Sequence, residues 1–397
     1  MKDLKARTCV YEQTYIDKDF LIDYQEFYAR SFENIPRFTQ RVHYFADDFS
    51  KAEFEQMLEK DDVKSLQESY LGFTIIKPIR DLEGNYLVGR TSLRTYPPST
   101  NGRKRFYITM NQSASLFGID LRVDSIPFQA QDQGVSACAT IALWTAFQAI
   151  GRAFGIQERS PAEITQMATE FPSQSRVFPQ GGLTLSQMIN CIRKVDLDLE
   201  VVNAEDSDII TTAVKAFTYA GIPIIAALKL SGSTEEDYHA AIIDGYQYDG
   251  NGQVTELYVH DDQIGPYSRV EPDHDFLSWK NTWNDLGLKV EPETLLIPVY
   301  HKLRLPFYSI YHHYVRKKEV IGRSGLVLDL YLTTLQRYKN FLAGKKIVDK
   351  VEKLQMHLPR FIYVERLFES GKREPLMDDV FDGTAIRSRK LASVEYS

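Results

Sequence analysis

Apolar positions recur along this chain with two periods, and the changes from one to the other mark out its elements. In SKAEFEQML, Ser50 and Glu53 stand three apart ahead of Phe54, Met57 and Leu58, which predicts a helix opened by a capping box. The runs LGFTIIKPI, YLVGRTSL and RFYITM, separated by EGN and PPSTNG, predict a small, mostly antiparallel sheet. Cys138 then opens a stretch reaching Gly151 in which Ile141, Leu143, Trp144, Phe147 and Ile150 fall on nearly every side of a helix. A helix apolar all round belongs inside a domain. Ser160-Pro161-Ala162-Glu163 combines a capping box with proline at the first helical position, and Ile164, Met167, Ala168 and Phe171 follow at i, i+3, i+4 and i+7. In GGLTLSQMINCIRK, Thr184 and Gln187 form the cap and Leu185, Met188, Ile189 and Ile192 one face, with Cys191 packing beside it. Another helix, about 206 to 219, stops at Gly221. GIPIIAALKL, HAAIIDGYQYD and TELYVHD then read as consecutive strands, the last two joined by Asp249-Gly250-Asn251-Gly252.

Turn clusters divide the chain into three parts. Residues 1–125 form a mixed α/β extension. Residues 126–300 place helices first and a sheet afterwards, an α+β layout. In 301–397 the segments PFYSIYHHYVRKKEV, LVLDLYLTTLQRYKNFL and LPRFIYVERLF have helical spacing, which predicts a C-terminal helical lobe. The tail after Pro375 has few periodic apolar positions and is expected to be loosely ordered.

Composition narrows the partners. The 54 acidic residues against 47 basic ones leave a net charge of −7, which does not favour nucleic acid. The 23 Tyr and 22 Phe are spread along the chain, as packing requires, and do not gather into a stacking platform. The charged N-terminus lacks the apolar core of a secretory signal, and no stretch nears the roughly 18 apolar residues of a membrane span. A cytoplasmic protein without a membrane partner is expected. Cys9, Cys138 and Cys191 match neither a disulfide framework nor a CxxC metal spacing, in keeping with that compartment.

One cysteine has a setting for chemistry. A cysteine reacts as its thiolate, which a helix N-terminus or a neighbouring imidazolium favours. Cys138 stands at the predicted N-terminus of the apolar helix, although the same position also suits a plain packing residue. Among His43, His239, His260, His274, His301, His312, His313 and His357, the context of His239 suits a base best. It starts an apolar strand after the polar loop SGSTEEDY. An imidazole needs a partner to fix its tautomer, and the next strand ends in Asp261 and Asp262, either of which serves. Gln133, five residues before Cys138, is the candidate oxyanion donor beside the Cys138 backbone N–H, with Gln131 the alternative and Gln129 a remote one. The adjacent His312 and His313 point apart on a helix and do not make a metal site. The glycines of GRTSL and DGNG lack the context of a phosphate loop.

The order Gln, Cys, distant His, then Asp resembles the papain-like cysteine peptidases, and most of all their bacterial bacteriocin-leader-processing branch. The likeness covers about 126–300. It rests on Gln133 before Cys138, on GGLTLSQM, on HAAIIDGY and on HDDQIGPY. It implies a papain-like core, a central helix packed on an antiparallel sheet, acting as a thiol hydrolase on a peptide or isopeptide bond. By the resemblance Cys138 is the nucleophile, His239 the general base and acid, Asp261 the orienting carboxylate and Gln133 the oxyanion donor, with no cofactor and no metal. Ala139 stands where that branch has Gly and papain Trp, and Asp262 where Pro is frequent. A transglutaminase-like acyltransferase would use the same residues. A catalytically silent module, binding a protein partner through the extensions, is the reading from another class.

Overall fold

The computed structural model of the chain describes residues 3–60, 62–81, 83–99, 102–132, 138–170, 182–232, 236–322, 325–372 and 374–397. They compact into two units, each discontinuous in sequence. One comprises Met1–Pro98, Ile108–Lys194 and His260–Ser268; the other comprises Ser99–Tyr107, Val195–Val259 and Arg269–Ser397.

The first unit opens with β1 (Thr8–Tyr15), α1 (Lys18–Glu26), β2 (Thr39–Phe45), α2 (Lys51–Glu59), α3 (Val63–Ser69), β3 (Tyr70–Arg80) and β4 (Tyr86–Leu93). Its strands form an antiparallel sheet in the order β1-β2-β3-β4. The expected box caps α2: the Glu53 N–H donates to Ser50 Oγ (3.3 Å) and the Ser50 N–H to Glu53 Oε2 (2.7 Å). The sequence pattern did not reveal β1 and β2. Their polar residues face one another, with Arg41 and His43 both bonded to Glu12, so charge that reads as surface lies inside the sheet. RFYITM also departs from expectation. Its strand, β5 (Lys104–Tyr107), belongs to the second unit, whereas Met110 opens β6 (Met110–Leu116), which forms a separate hairpin with β7 (Ile119–Ser125). Phe45, Phe54, Leu66, Tyr70, Leu121 and Val123 pack into one core here.

Helices α4 (Cys138–Phe154), α5 (Pro161–Thr169) and α6 (Leu185–Lys194) complete this unit and pack on one another. α4 runs past the expected stop at Gly151 because its left-handed terminal residue is Gly155 (φ 74°), whose N–H reaches the Gly151 carbonyl at 2.8 Å. The cap of α6 is as expected, with Thr184 and Gln187 bonded reciprocally. Its buried face, however, is Gln187, Met188, Cys191 and Ile192, and Leu185 in the first turn is exposed. α5 and α4 cover the helix slightly further round than hydrophobicity marks. Cys191 is core, as its packing position predicts. Phe171 lies outside the described residues.

The second unit contains β5, β8 (Leu197–Asn203), α7 (Ser207–Tyr219), β9 (Ile224–Ser231), β10 (Glu236–Tyr248), β11 (Val254–Asp261), β12 (Gly265–Asp273), β13 (Asp275–Lys280), α8 (Thr282–Asp285) and β14 (Lys289–Tyr300), the tip of the β11–β12 hairpin being counted with the first unit. The sheet order is β11-β12-β13-β14-β9-β10, and β10 pairs again with β11, so six strands close on themselves. β8 adds to β14, and β5 adds to β10 beyond the reach of β9. The three strands expected after Gly221 are β9, β10 and β11. Within this unit α7 lies on the sheet, packing against β9, β10 and β13, and it also meets the next element, β15.

The rest of this unit is α9 (Phe307–Ile321), β15 (Leu326–Thr334), α10 (Leu335–Ala343), α11 (Lys350–Gln355), β16 (Phe361–Glu369), β17 (Pro375–Asp382) and β18 (Lys390–Glu395). The last three strands and β15 form an antiparallel sheet, β15-β16-β17-β18. The expected helical lobe is therefore a helix-and-sheet layer, and the tail expected to be loose supplies two of its strands. The physical reason is burial on both faces. β15 and β16 carry Asp329, Glu365 and Arg366 inward, each paired: Lys215 with Asp329, Lys317 with Glu365 at 2.9 Å, and Arg366 with Asp378 through two bonds of 2.7 and 2.8 Å. Buried ion pairs erase the alternation that marks a half-exposed strand. The chain is α+β. Among the described residues no helix is long and apolar enough to cross a membrane.

Candidate active site

Cys138 opens α4, a 17-residue helix whose Ala139, Ile141, Ala142, Leu143, Trp144, Ala146, Phe147 and Ile150 are all buried. The helix is fixed near its start by a hydrogen bond between Thr140 Oγ1 and Thr165 Oγ1 of α5 (3.2 Å). Further along, Arg90 of β4 lies over the Trp144 ring at 5.3 Å while donating to Asp19 (2.9 Å) and to Gln148 (3.4 Å). The first turn of a helix leaves backbone N–H groups without intrahelical acceptors, and the Cys138 side chain, only partly buried, stands at that end. The other two cysteines differ. Cys191 is sealed in the core beside the Ile164 carbonyl, and burial pushes its thiol up to about 12. Cys9 is exposed on β1, and what burial it has raises its thiol.

Gln133 and the residues up to Ala137 lie outside the described residues. Gln131 is half-buried, and its Oε1 accepts from Gln263 Nε2 at 3.4 Å. Gln129 is buried, and among the described residues its Nε2 has no hydrogen-bond partner.

His239 belongs to the second unit. It stands near the start of β10, opposite Leu228 of β9, and is almost wholly buried, with its ring edge-on to Trp283 of α8 at 5.3 Å. Asp261 ends β11 and Asp262 follows it; both are buried and both count with the first unit, as Cys138 does. Asp261 Oδ1 accepts from the Gln263 N–H (3.0 Å) and its carbonyl from the Ile264 N–H (3.1 Å), so the residue also shapes the hairpin tip.

That tip is attached to the segment leading toward Cys138. The Ile126 N–H donates to Tyr267 Oη (2.9 Å), and His260 Nε2 lies 3.2 Å from the Ile126 carbonyl. Tyr267 Oη also shares a hydrogen bond with Ser125 Oγ (3.1 Å). The His260 ring stands edge-on to Tyr267 at 4.6 Å and to Phe128 at 5.8 Å.

Sequence reasoning missed a second group of side chains on this unit. Tyr28 donates to Asp132 Oδ2 (2.5 Å), and the buried Lys77 Nζ lies 3.9 Å from Asp132 and 3.7 Å from Asp23. Asp23 Oδ1 accepts from the Ala162 N–H (3.2 Å) in the first turn of α5, and burial pushes its carboxyl up to about 7. The one available signal was a lysine inside the apolar run LGFTIIKPI. The cluster joins α1, β3 and α5 to the residue just before Gln133.

A cavity of about 520 Å³ in the second unit is lined by Thr211, Lys215, His274, Tyr314, Lys318 and Asp329, among others, and includes neither Cys138 nor His239. Compared with known proteins, the chain matches no family model and no curated protein.

Proposed function

We propose that this chain is a papain-like thiol hydrolase that cleaves a peptide or isopeptide bond. The observation that carries the reading is the partly exposed Cys138 at the N-terminus of a long, buried and braced helix. Support comes also from the strands themselves: β10 carries His239 near its start and β11 ends on Asp261. In the proposed reaction the Cys138 thiolate attacks the carbonyl carbon of a substrate amide. The backbone N–H of Cys138 and the Gln133 amide hold the oxyanion, His239 gives a proton to the leaving amine, and the acyl enzyme forms. His239 then takes a proton from water, which attacks the thioester and frees Cys138. Asp261 holds the imidazole in the tautomer this requires.

Iodoacetamide labelling of the folded chain near neutral pH tests the reading. Cys138 is expected to alkylate faster than Cys9 and than a small model thiol, and His239→Ala is expected to slow it by about tenfold, the scale of losing a charge-assisted hydrogen bond. Cys138→Ala should remove the fast-reacting thiol and any acyl-enzyme intermediate. A Cys138 rate equal to the model thiol and indifferent to His239→Ala would sink the proposal in favour of a silent binding module.

A further inference from the structure

We infer that Tyr267 and His260 are positioning residues of the thiol site: together they clamp the Ile126 peptide and so hold the Asp261-bearing hairpin tip against the chain that leads into Cys138. The inference rests on the reading of Cys138, His239 and Asp261 as a triad, and extends it to residues that touch neither substrate nor reacting atoms.

Ile126 is 1% exposed, so its N–H and carbonyl both need protein partners. The hairpin tip supplies one partner to each: Tyr267 Oη accepts from the N–H at 2.9 Å, and the imidazole of His260 meets the carbonyl at 3.2 Å, which also accepts from Ser125 Oγ at 3.1 Å. A carbonyl only accepts, so the proton of that bond sits on His260 Nε2, which fixes the tautomer. Tyr267 is itself held in an unusual backbone conformation, with φ of 51°. A bulky side chain in the left-handed region is strained and persists where surrounding contacts over-determine it. Here those contacts are the Ile126 N–H, Ser125 Oγ and the edge of the His260 ring. Tyr267 follows Asp261 closely in sequence, and Ile126 lies on the same stretch of chain as Gln131 and Cys138. A third tie, between Gln263 and Gln131 at 3.4 Å, joins the same two segments. The arrangement ties the hairpin tip that carries Asp261 to the chain at Ile126 through two side chains and the backbone of one residue.

The test is the pH profile of Cys138 alkylation by iodoacetamide, recorded on the full folded chain for wild type, Asp261→Asn, His239→Ala, Tyr267→Phe, and the pair His260→Gln and His260→Leu. Circular dichroism and the alkylation rate of Cys9 check that each variant is folded. Tyr267→Phe keeps the ring and removes the hydroxyl, and it should shift the profile in the same direction as Asp261→Asn, with a loss of about tenfold near neutral pH. His260→Leu should do the same, while His260→Gln, whose amide can still donate to the Ile126 carbonyl, should restore most of the rate. The inference is overturned if Asp261→Asn and His239→Ala change the profile but folded Tyr267→Phe and His260→Leu both keep that of wild type. In that outcome the triad stands and the clamp is structural only. Should Tyr267→Phe fail to fold, the His260 pair decides by the same criterion. A profile indifferent to His239→Ala removes the triad, and this inference with it.

Discussion

Gly72 sits inside β3 with φ of 120°, where it pairs with Tyr44 on one side and Leu93 on the other. A Cβ built there would lie 2.0 Å from the Ser92 carbonyl oxygen. Neither strand can withdraw without breaking its ladder, so Gly72→Ala should destabilise the chain by about 3 kcal/mol or more, read as a lower urea midpoint. A midpoint within error of wild type would show that β4 can yield. Gly245, the glycine of HAAIIDGY, is constrained differently: an added Cβ would meet the Phe106 carbonyl at 2.5 Å, because β5 lies against that end of β10. In the sequence this glycine resembles a family signature. In the fold it makes room for a strand that the chain places more than a hundred residues earlier. Cys138 and its helix could be recognised from neighbours in sequence; what these glycines face could not.

Among the elements, α5 shows how much local pattern can specify. Pro161 has no N–H to satisfy, the Ala162 N–H donates to Asp23, and the Glu163 N–H donates to Ser160 Oγ at 3.2 Å while Glu163 Oε2 accepts from the Ser160 N–H at 2.8 Å. Ser160→Ala removes one member of the capping box and should cost about 1 kcal/mol, measured by chemical denaturation. A change below about 0.3 kcal/mol would mean that Asp23 and Pro161 already suffice. All parts of that cap but Asp23 are consecutive in sequence, which is why the helix was legible. β15 and β16 were not legible, for the opposite reason. Their charges are neutralised by Lys215, Lys317 and Asp378, none of them a neighbour on the same strand, so a strand buried on both faces presented the spacing of an amphipathic helix.

For the molecule as a whole, two buried groups couple folding to pH with opposite signs. His43 is fully buried between Tyr70 Oη and Glu12 Oε2, each at 2.9 Å, and burial pushes its imidazole down to about 4 from an ordinary 6.5. The unfolded chain therefore takes up this proton first. The stability contributed by neutral His43 is present above pH 6.5 and is lost as pH falls toward 4. Asp23 runs the other way. Its carboxyl is raised from 3.8 to about 7, so its contribution is present below pH 3.8 and is lost as pH rises through 7. Single variants separate the two. Between pH 6.5 and 4.5 the stability of wild type relative to His43→Gln should fall by about 2 kcal/mol, since one pKa unit is worth about 1.4 kcal/mol. A constant difference across that range would show that His43 titrates alike in folded and unfolded chains. The sequence by itself determined what depends on residues close along the chain: the capped helices α2, α5 and α6, the extent of α7, the strands β9 to β11 with their turn, and a cysteine opening an apolar helix. Their interactions form within a few residues, so composition and spacing carry them. Tertiary structure alone decided the pairing of β5 with β10, the C-terminal sheet, the Lys77–Asp23–Asp132 cluster and the clamp on Ile126. Each depends on burying a polar group beside a partner distant in sequence, and the cost of leaving such a group unpaired is set by the surroundings the fold creates, which no local pattern records.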